Sequence, residues 1–330
     1  MRVKRNMLIA GLACVAAVLY LGNASFPVAP RGTRPLLLAH RGLAQPYDRT
    51  GLTNETCTAA RMLPADHTYL ENTIPSMEAA FALGADVVEF DVHRTSDDQF
   101  AVFHDWTLDC RTDGTGVTRE QTLADLQTLD IGYGYTGDGG ATYPFRGQGI
   151  GLMPSLEEVL TAFPDRDFLI DVKSNDASEG ELLAAHLAPL LAARTGTVMV
   201  YGGAAPVNEV RARLPAVRTL TRPQLQRCLI RYIAWGWSGH VPDACTRSVL
   251  MVPHNVAPWL WGWPNRFLQR MDGANSAVFL VGDYNGEGFS TSFDDVDQLQ
   301  RLPADYSGGI WTDRIDLVAP ASQAKWPSPH

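Results

Sequence analysis

Between residues 36 and 312 the chain repeats one pattern: a short apolar or β-branched run, then a longer stretch of helical character. Eight runs read as parallel strands: Leu36–His40, Val87–Val92, Phe168–Val172, Val198–Tyr201, Val217–Leu220, Val249–Pro253, Val278–Val281 and Gly309–Thr312. The segments Ser76–Leu83, Glu179–Ala193, Ala205–Leu214, Pro223–Trp235 and Pro264–Met271 read as helices between them. Such alternation demands an α/β protein with a mainly parallel sheet, and eight strands close naturally as a TIM-type (β/α)8 barrel. Phe100–His104 follows Val87–Val92 after only Ser96-Asp97-Asp98-Gln99, too short a connection for a crossover helix, so it is expected as an antiparallel return. Leu43–Leu70 and the Gly- and Tyr-rich Gly132–Leu152 read as loop insertions at the catalytic face.

The ends carry other signals. Arg2, Lys4 and Arg5 precede an unbroken apolar and small-residue run from Met7 to Leu21, so residues 1–24 are expected to be a signal peptide or an N-terminal signal anchor. The Pro-containing stretch 25–35 reads as an extended linker, 36–319 as the barrel domain, and 320–330, with three prolines, as a loose tail. An exported protein, periplasmic or extracellular and either freed from its leader or anchored by it, permits disulfides. Apart from Cys14 there are four cysteines, and of the three possible pairings Cys57–Cys110 with Cys228–Cys245 closes the shorter loops. A net charge of −9 argues against a nucleic-acid partner, and no segment announces a protein partner.

In a parallel barrel the chemistry lies at strand C-terminal ends, so polar residues there matter most. His40 and Arg41 end the first strand, with Gly42 giving a tight exit. Glu89 and Asp91 alternate on one face of a strand whose neighbours are apolar, so two carboxylates converge where Ca²⁺ or Mg²⁺ would find hard oxygen ligands. Asp171 and Lys173 repeat that arrangement two strands later in the chain, and His104 with Asp105 follows the antiparallel run. Imidazoles that move protons, beside cations that stabilise oxyanion charge, suit cleavage of a phosphoric ester.

Taken together, His40-Arg41-Gly42, Glu71-Asn72-Thr73, Gly84-Ala85-Asp86, Glu89-x-Asp91, Val102-x-His104-Asp105, Thr112-Asp113-Gly114, Asp171-x-Lys173 and Gly309-Ile310-Trp311-Thr312-Asp313 resemble the glycerophosphodiester phosphodiesterase family. The resemblance implies metal-dependent hydrolysis of glycerophosphodiesters to sn-glycerol 3-phosphate and an alcohol. It implies His40 and His104 as the acid/base pair, Glu71, Glu89, Asp91 and Asp171 as carboxylates for a divalent ion, and Arg41 and Lys173 as phosphate-binding residues. A glycerol hydroxyl would attack phosphorus and water would then open the cyclic phosphate. Asp171 stands where the family usually has Glu, and Leu43–Leu70, bearing Tyr47, Asp48, Arg49, Glu55, Arg61 and His67, is longer than a minimal member needs. The substrate expected is a small glycerophosphodiester. Lysophospholipase D or phospholipase C-like action on intact membrane lipids is the alternative, and a non-catalytic envelope binding protein is a further one. The tryptophans of Trp235–Trp237 and Trp259–Trp263 read either as a lipid-facing rim or as packing, with packing favoured.

Overall fold

A computed structural model describes residues 2–53, 56–286 and 291–327. Its nine strands are β1 (Leu36–His40), β2 (Val87–Arg94), β3 (Phe100–Val102), β4 (Asp167–Val172), β5 (Val198–Gly202), β6 (Arg218–Thr221), β7 (Val249–Pro253), β8 (Ala277–Val281) and β9 (Gly309–Thr312). The order β6-β5-β4-β2-β1-β9-β8-β7 is parallel throughout, and β3 pairs antiparallel with β2. A single parallel bridge from Thr219 to Ser248, with the Ser248 hydroxyl donating to the Thr219 carbonyl at 3.0 Å, nearly closes the ring between β6 and β7. The expected TIM-type barrel is therefore present, with all eight parallel strands and the antiparallel return.

Alternation along the strands divides the core into two. Leu38, Val87, Leu169, Met199, Leu220, Val249, Phe279 and Trp311 form one buried cluster inside the ring. Leu37, Val88, Phe90, Phe168, Ile170, Val200, Leu250 and Leu280 face outward onto the helices. The inward set is apolar near the strand starts and gives way to Glu89, Asp91 and Asp171 near their ends, so the sequence itself places the polar layer at one mouth.

The two insertions pack on each other. Ala59, Met62 and Leu70 from one share a buried cluster with Phe103, Leu108, Ile131, Tyr135, Phe145 and Met153, and the Cys57–Cys110 disulfide ties the first insertion to the segment after β3. The second disulfide joins Cys228 to Cys245, the pairing that closes the shorter loops. Glu55 and residues 328–330 lie outside the described residues.

Two terminal expectations are corrected. The stretch 25–35 is not extended: Val28 is buried, Ser25 Oγ accepts from the Asn265 amide at 2.8 Å, and Ser307 Oγ accepts from the Arg31 amide at 2.9 Å. Arg34 forks onto Asp86 at 2.6 and 2.7 Å, pinning the entry to β1. Nor is the chain loose after Ala319. A helix runs from Ile315 to Lys325 through Pro320, because Ile315, Val318, Ala319 and Ser322 are buried, and Trp326 beyond it is buried with its indole N–H donating to the Ala304 carbonyl at 2.6 Å. Burial of one helix face outweighs the hydrogen bond that a proline removes. The N-terminal run forms a helix from Arg2 to Asn23, and no helix among the described residues is long and apolar enough to cross a membrane.

Candidate active site

Register brings the acids together. Asp91 on β2 lies directly opposite Asp171 on β4, Asp171 opposite Tyr201 on β5, and Glu89 opposite His40 on β1. One oxygen from each of Glu89, Asp91 and Asp171 lies within 4.8 Å of the others, the set among the described residues with the spacing for a metal ion. The aspartate at 171 joins this group without any break in the β2–β4 ladder. Room for it comes from Gly202, whose φ is +124° and where a Cβ would stand 2.6 Å from Asp171 Oδ1.

Neighbours set the charges. Burial and then the Asp91 charge push the Glu89 carboxyl up to about 7, and the Tyr201 hydroxyl donates to its Oε1 at 2.7 Å. Burial also pushes Asp91 up, but Lys173 and Arg41 outweigh it and hold Asp91 well below the usual carboxylate range. Lys173 Nζ reaches Asp91 Oδ1 at 3.3 Å and Asp171 Oδ2 at 3.0 Å. Asn72 closes the remaining side of Asp91: its amide donates to Oδ2 at 2.8 Å and its carbonyl accepts from the Asp91 backbone N–H at 3.1 Å. Three hard oxygen donors with their negative charge only partly neutralised fit a divalent cation.

Glu71 stands apart from that group. Its two oxygens meet Arg41 at 3.1 Å and Arg111 at 2.8 Å, which hold it ionised despite burial. Arg41 also lies 3.3 Å from Asp91, and its backbone, at φ 62°, donates to the Glu89 carbonyl and carboxylate at 2.9 and 3.1 Å. A non-glycine residue in that left-handed region is costly and is kept by these bonds. The next residue, Gly42, is required as glycine, since a Cβ there would lie 2.6 Å from Ser76 Oγ at the start of the helix Ile74–Leu83.

Both histidines are tethered in the same way. His40 Nδ1 donates to Asp313 Oδ1 at 2.6 Å and its Nε2 lies 3.7 Å from Glu89 Oε2, with the ring beside Trp311 at 5.0 Å between centroids. His104 Nδ1 donates to Asp105 Oδ1 at 2.7 Å, while Asp105 Oδ2 accepts from Arg111 Nε at 3.0 Å. Burial, with Arg41 and Lys173 adding, pulls His104 down to about 4, and burial lowers His40 as well. These imidazoles are therefore neutral at neutral pH, with Nδ1 committed to an aspartate and Nε2 left for chemistry.

A cleft of about 250 Å³ opens over His40, Arg41 and Glu71, walled by Pro46, Tyr47, Arg49 and Leu63 of the long insertion. Arg49 reaches Asp313 in a close ion pair and Asp294 at 3.2 Å, so the insertion touches the aspartate that holds His40. Asp48 and Arg61 pair with each other, and His67 bonds Gln45, away from the acids.

Of the residues singled out from sequence, His40, Arg41, Glu89, Asp91, His104, Asp171 and Lys173 meet at this mouth, and Glu71 is linked to them through Arg41 and through Arg111 with Asp105. Arg111, Tyr201 and the partner role of Asp313 were not foreseen. Arg111 follows Cys110 in a loop without strand or helix, and nothing local marks a buried arginine there.

Residues 40–195 match the model of the glycerophosphoryl diester phosphodiesterase family. The glycerophosphodiester phosphodiesterase of Bacillus subtilis (strain 168) is 33% identical over 175 residues, covering 47% of this chain and 56% of the relative, so the match spans about half of that relative's length. The glycerophosphoryl diester phosphodiesterase domain of an uncharacterized Mycobacterium tuberculosis protein superposes with a TM-score of 0.60 at 18% identity, over 87% of this chain and 98% of that one. An Oleispira antarctica phosphodiesterase in complex with the product sn-glycerol-3-phosphate gives 0.54 at 17% identity, over 87% and 96%. These structures share the barrel fold, and the similarity to the glycerophosphodiester phosphodiesterase family is carried by residues 40–195 of this chain.

Proposed function

We propose that the protein is a phosphoric diester hydrolase that cleaves glycerophosphodiesters to sn-glycerol 3-phosphate and an alcohol. The observation that carries this reading is the in-register group Glu89, Asp91 and Asp171, flanked by two aspartate-tethered histidines and by Arg41 and Lys173. Glu89, Asp91 and Asp171 would hold the divalent cation, Ca²⁺ or Mg²⁺; Glu71, engaged by two arginines, instead orients Arg41. A cation held there supplies positive charge to a phosphoryl oxygen and acidifies a nearby hydroxyl.

The chain's own groups do the rest. Arg41 and Lys173 draw the phosphate to the acids. One imidazole takes the proton of the glycerol hydroxyl that attacks phosphorus, and the other gives a proton to the departing alcohol oxygen. Asp313 and Asp105 hold the rings in one tautomer and stabilise each imidazolium as it forms. Water then opens the cyclic phosphate with the proton roles reversed.

Export to the periplasm or cell exterior is part of the same proposal; the two disulfides support it. Purified protein should release sn-glycerol 3-phosphate from glycerophosphocholine or glycerophosphoethanolamine and stop on chelation, with His40→Ala and His104→Ala each reducing turnover by about 10²-fold or more. Preferential release from lyso-lipids would move the assignment to a lysophospholipase D, and unchanged turnover in both variants would remove the proton-transfer roles.

A further inference from the structure

Away from the mouth, the helix Arg222–Trp235 and the loop before the helix Asn265–Gly273 expose an unusual set of side chains. Trp259 is 73% exposed, Ile230 67% and Trp235 60%, and Ile233, Trp237 and Trp261 are exposed beside them. These belong to one surface, since the Trp261 indole N–H donates to the Ile233 carbonyl at 2.8 Å and the Tyr232 hydroxyl donates to the Trp261 carbonyl at 2.9 Å. Burial of Cys228 and its disulfide to Cys245 fix the helix against the loop that follows, so the apolar face is held outward. Large apolar side chains gathered this way on a chain's exterior mark a surface that meets something.

Charge and position identify the occupant. The chain carries a net −9, yet the helix Arg222–Trp235 has three arginines and no acidic residue, with Arg227 and Arg231 on the exposed side among the isoleucines. Tryptophan and isoleucine interleaved with arginine are the side chains of a protein face that lies in the interfacial zone of an anionic bilayer. The N-terminal helix Arg2–Asn23, with Leu12, Val15, Val18 and Leu21 exposed, is rooted at this same place. Asn23 donates to the Trp237 carbonyl at 2.9 Å and accepts from Arg270 at 3.0 Å. Within the patch, a cleft of about 290 Å³ between Arg231, Trp235, His240 and Asp243 offers both a cation and a carboxylate to a phospholipid head group.

We infer that this surface docks the barrel onto an anionic lipid bilayer, with the N-terminal helix entering the same interface. The helix Arg222–Trp235 starts where β6 ends and runs back toward the strand starts, so Trp235 lies toward the end of the barrel away from the acids. The docking is independent of the chemistry assigned to that mouth.

The test uses the full chain with phosphatidylcholine vesicles, with and without phosphatidylglycerol. The wild-type chain should co-sediment with the anionic vesicles, and its tryptophan emission should be quenched by brominated lipid. Ile230→Ser/Trp235→Ser/Trp259→Ser and Arg227→Glu/Arg231→Glu should each lower partitioning about tenfold or more at an unchanged melting temperature. Hydrolysis of soluble glycerophosphocholine should keep its wild-type rate in both, which separates this result from any failure of the proposed chemistry. Wild-type partitioning in both variants would overturn the inference, because the N-terminal helix alone would then carry attachment. Unquenched tryptophan in the wild-type chain would overturn it too, and that readout needs no variant to fold.

Discussion

Asp91 and Asp171 face each other across adjacent parallel strands, and the Lys173 ammonium reaches both, at 3.3 and 3.0 Å. Two carboxylates in register on a buried ladder repel, and Lys173 with Arg41, which Glu71 also engages, cancels the charge of the three acids only in part once Glu89 is counted. That residual charge is the physical basis for a cation at this mouth.

Gly202 supports this pair from β5. Gly202→Ala adds a Cβ 2.6 Å from Asp171 Oδ1 at a φ of +124°, so the aspartate or the strand end must move. The variant should lose about 1–3 kcal/mol of stability and bind Ca²⁺ or Mg²⁺ about tenfold more weakly, read by urea unfolding and by calorimetric titration. Unchanged cation affinity would mean that Asp171 is not a ligand.

Arg111 is 2% exposed and neutralises Glu71 at 2.8 Å and Asp105 at 3.0 Å. Arg111→Met leaves both acids buried without that partner, and urea unfolding should register a loss of about 3–5 kcal/mol. His104 should also lose its fixed orientation, so kcat should fall more than KM changes. A loss below about 1 kcal/mol would show that the guanidinium is dispensable to the fold.

The disulfide from Cys57 to Cys110 spans 53 residues and clamps the long insertion beside Arg111. In the chain-entropy description its removal by Cys57→Ser/Cys110→Ser should cost about 4 kcal/mol. Because Pro46, Tyr47 and Arg49 wall the cleft, KM for the diester should rise while the circular dichroism of the barrel stays intact. An unaltered KM would detach the insertion from substrate binding.

Falling pH destabilises the fold through His93. Burial pulls His93 from 6.5 down to about 4, so between those values the unfolded chain takes up a proton that the folded chain refuses. Its contribution is fully present above about pH 6.5 and is lost at about 1.4 kcal/mol per pH unit as pH falls toward 4. Glu89, raised to about 7, acts in the opposite sense over part of that range, so the comparison must be with a variant. Thermal unfolding of the wild-type chain should steepen below pH 6.5 relative to His93→Gln, which keeps a donor toward the His104 carbonyl. Parallel curves would contradict it.

Strand alternation made much of this site legible. Period-two spacing put Glu89 with Asp91 and Asp171 with Lys173, and the ladder from β2 to β4 then set the two pairs against each other. What the sequence hid depends on register and on long-range contact. Tyr201 reaches Glu89 only because β5 pairs with β4 at that offset, and Asp313 meets His40 because β9 closes beside β1. The family resemblance gives Glu71 as a metal ligand, and its two arginine partners stand 30 residues before it and 40 after it, beyond the reach of any local pattern. At the C-terminus, prolines suggested a loose end, and burial of Ile315, Val318 and Trp326 prevailed.

The most direct test of the central claim is calorimetric titration of metal-stripped protein with Ca²⁺ or Mg²⁺, followed by glycerophosphocholine hydrolysis at each degree of occupancy. One ion should bind per chain, turnover should rise in step with it, and Asp91→Asn/Asp171→Asn should abolish both. Full turnover in the stripped protein, or undiminished binding in that double variant, would contradict the account.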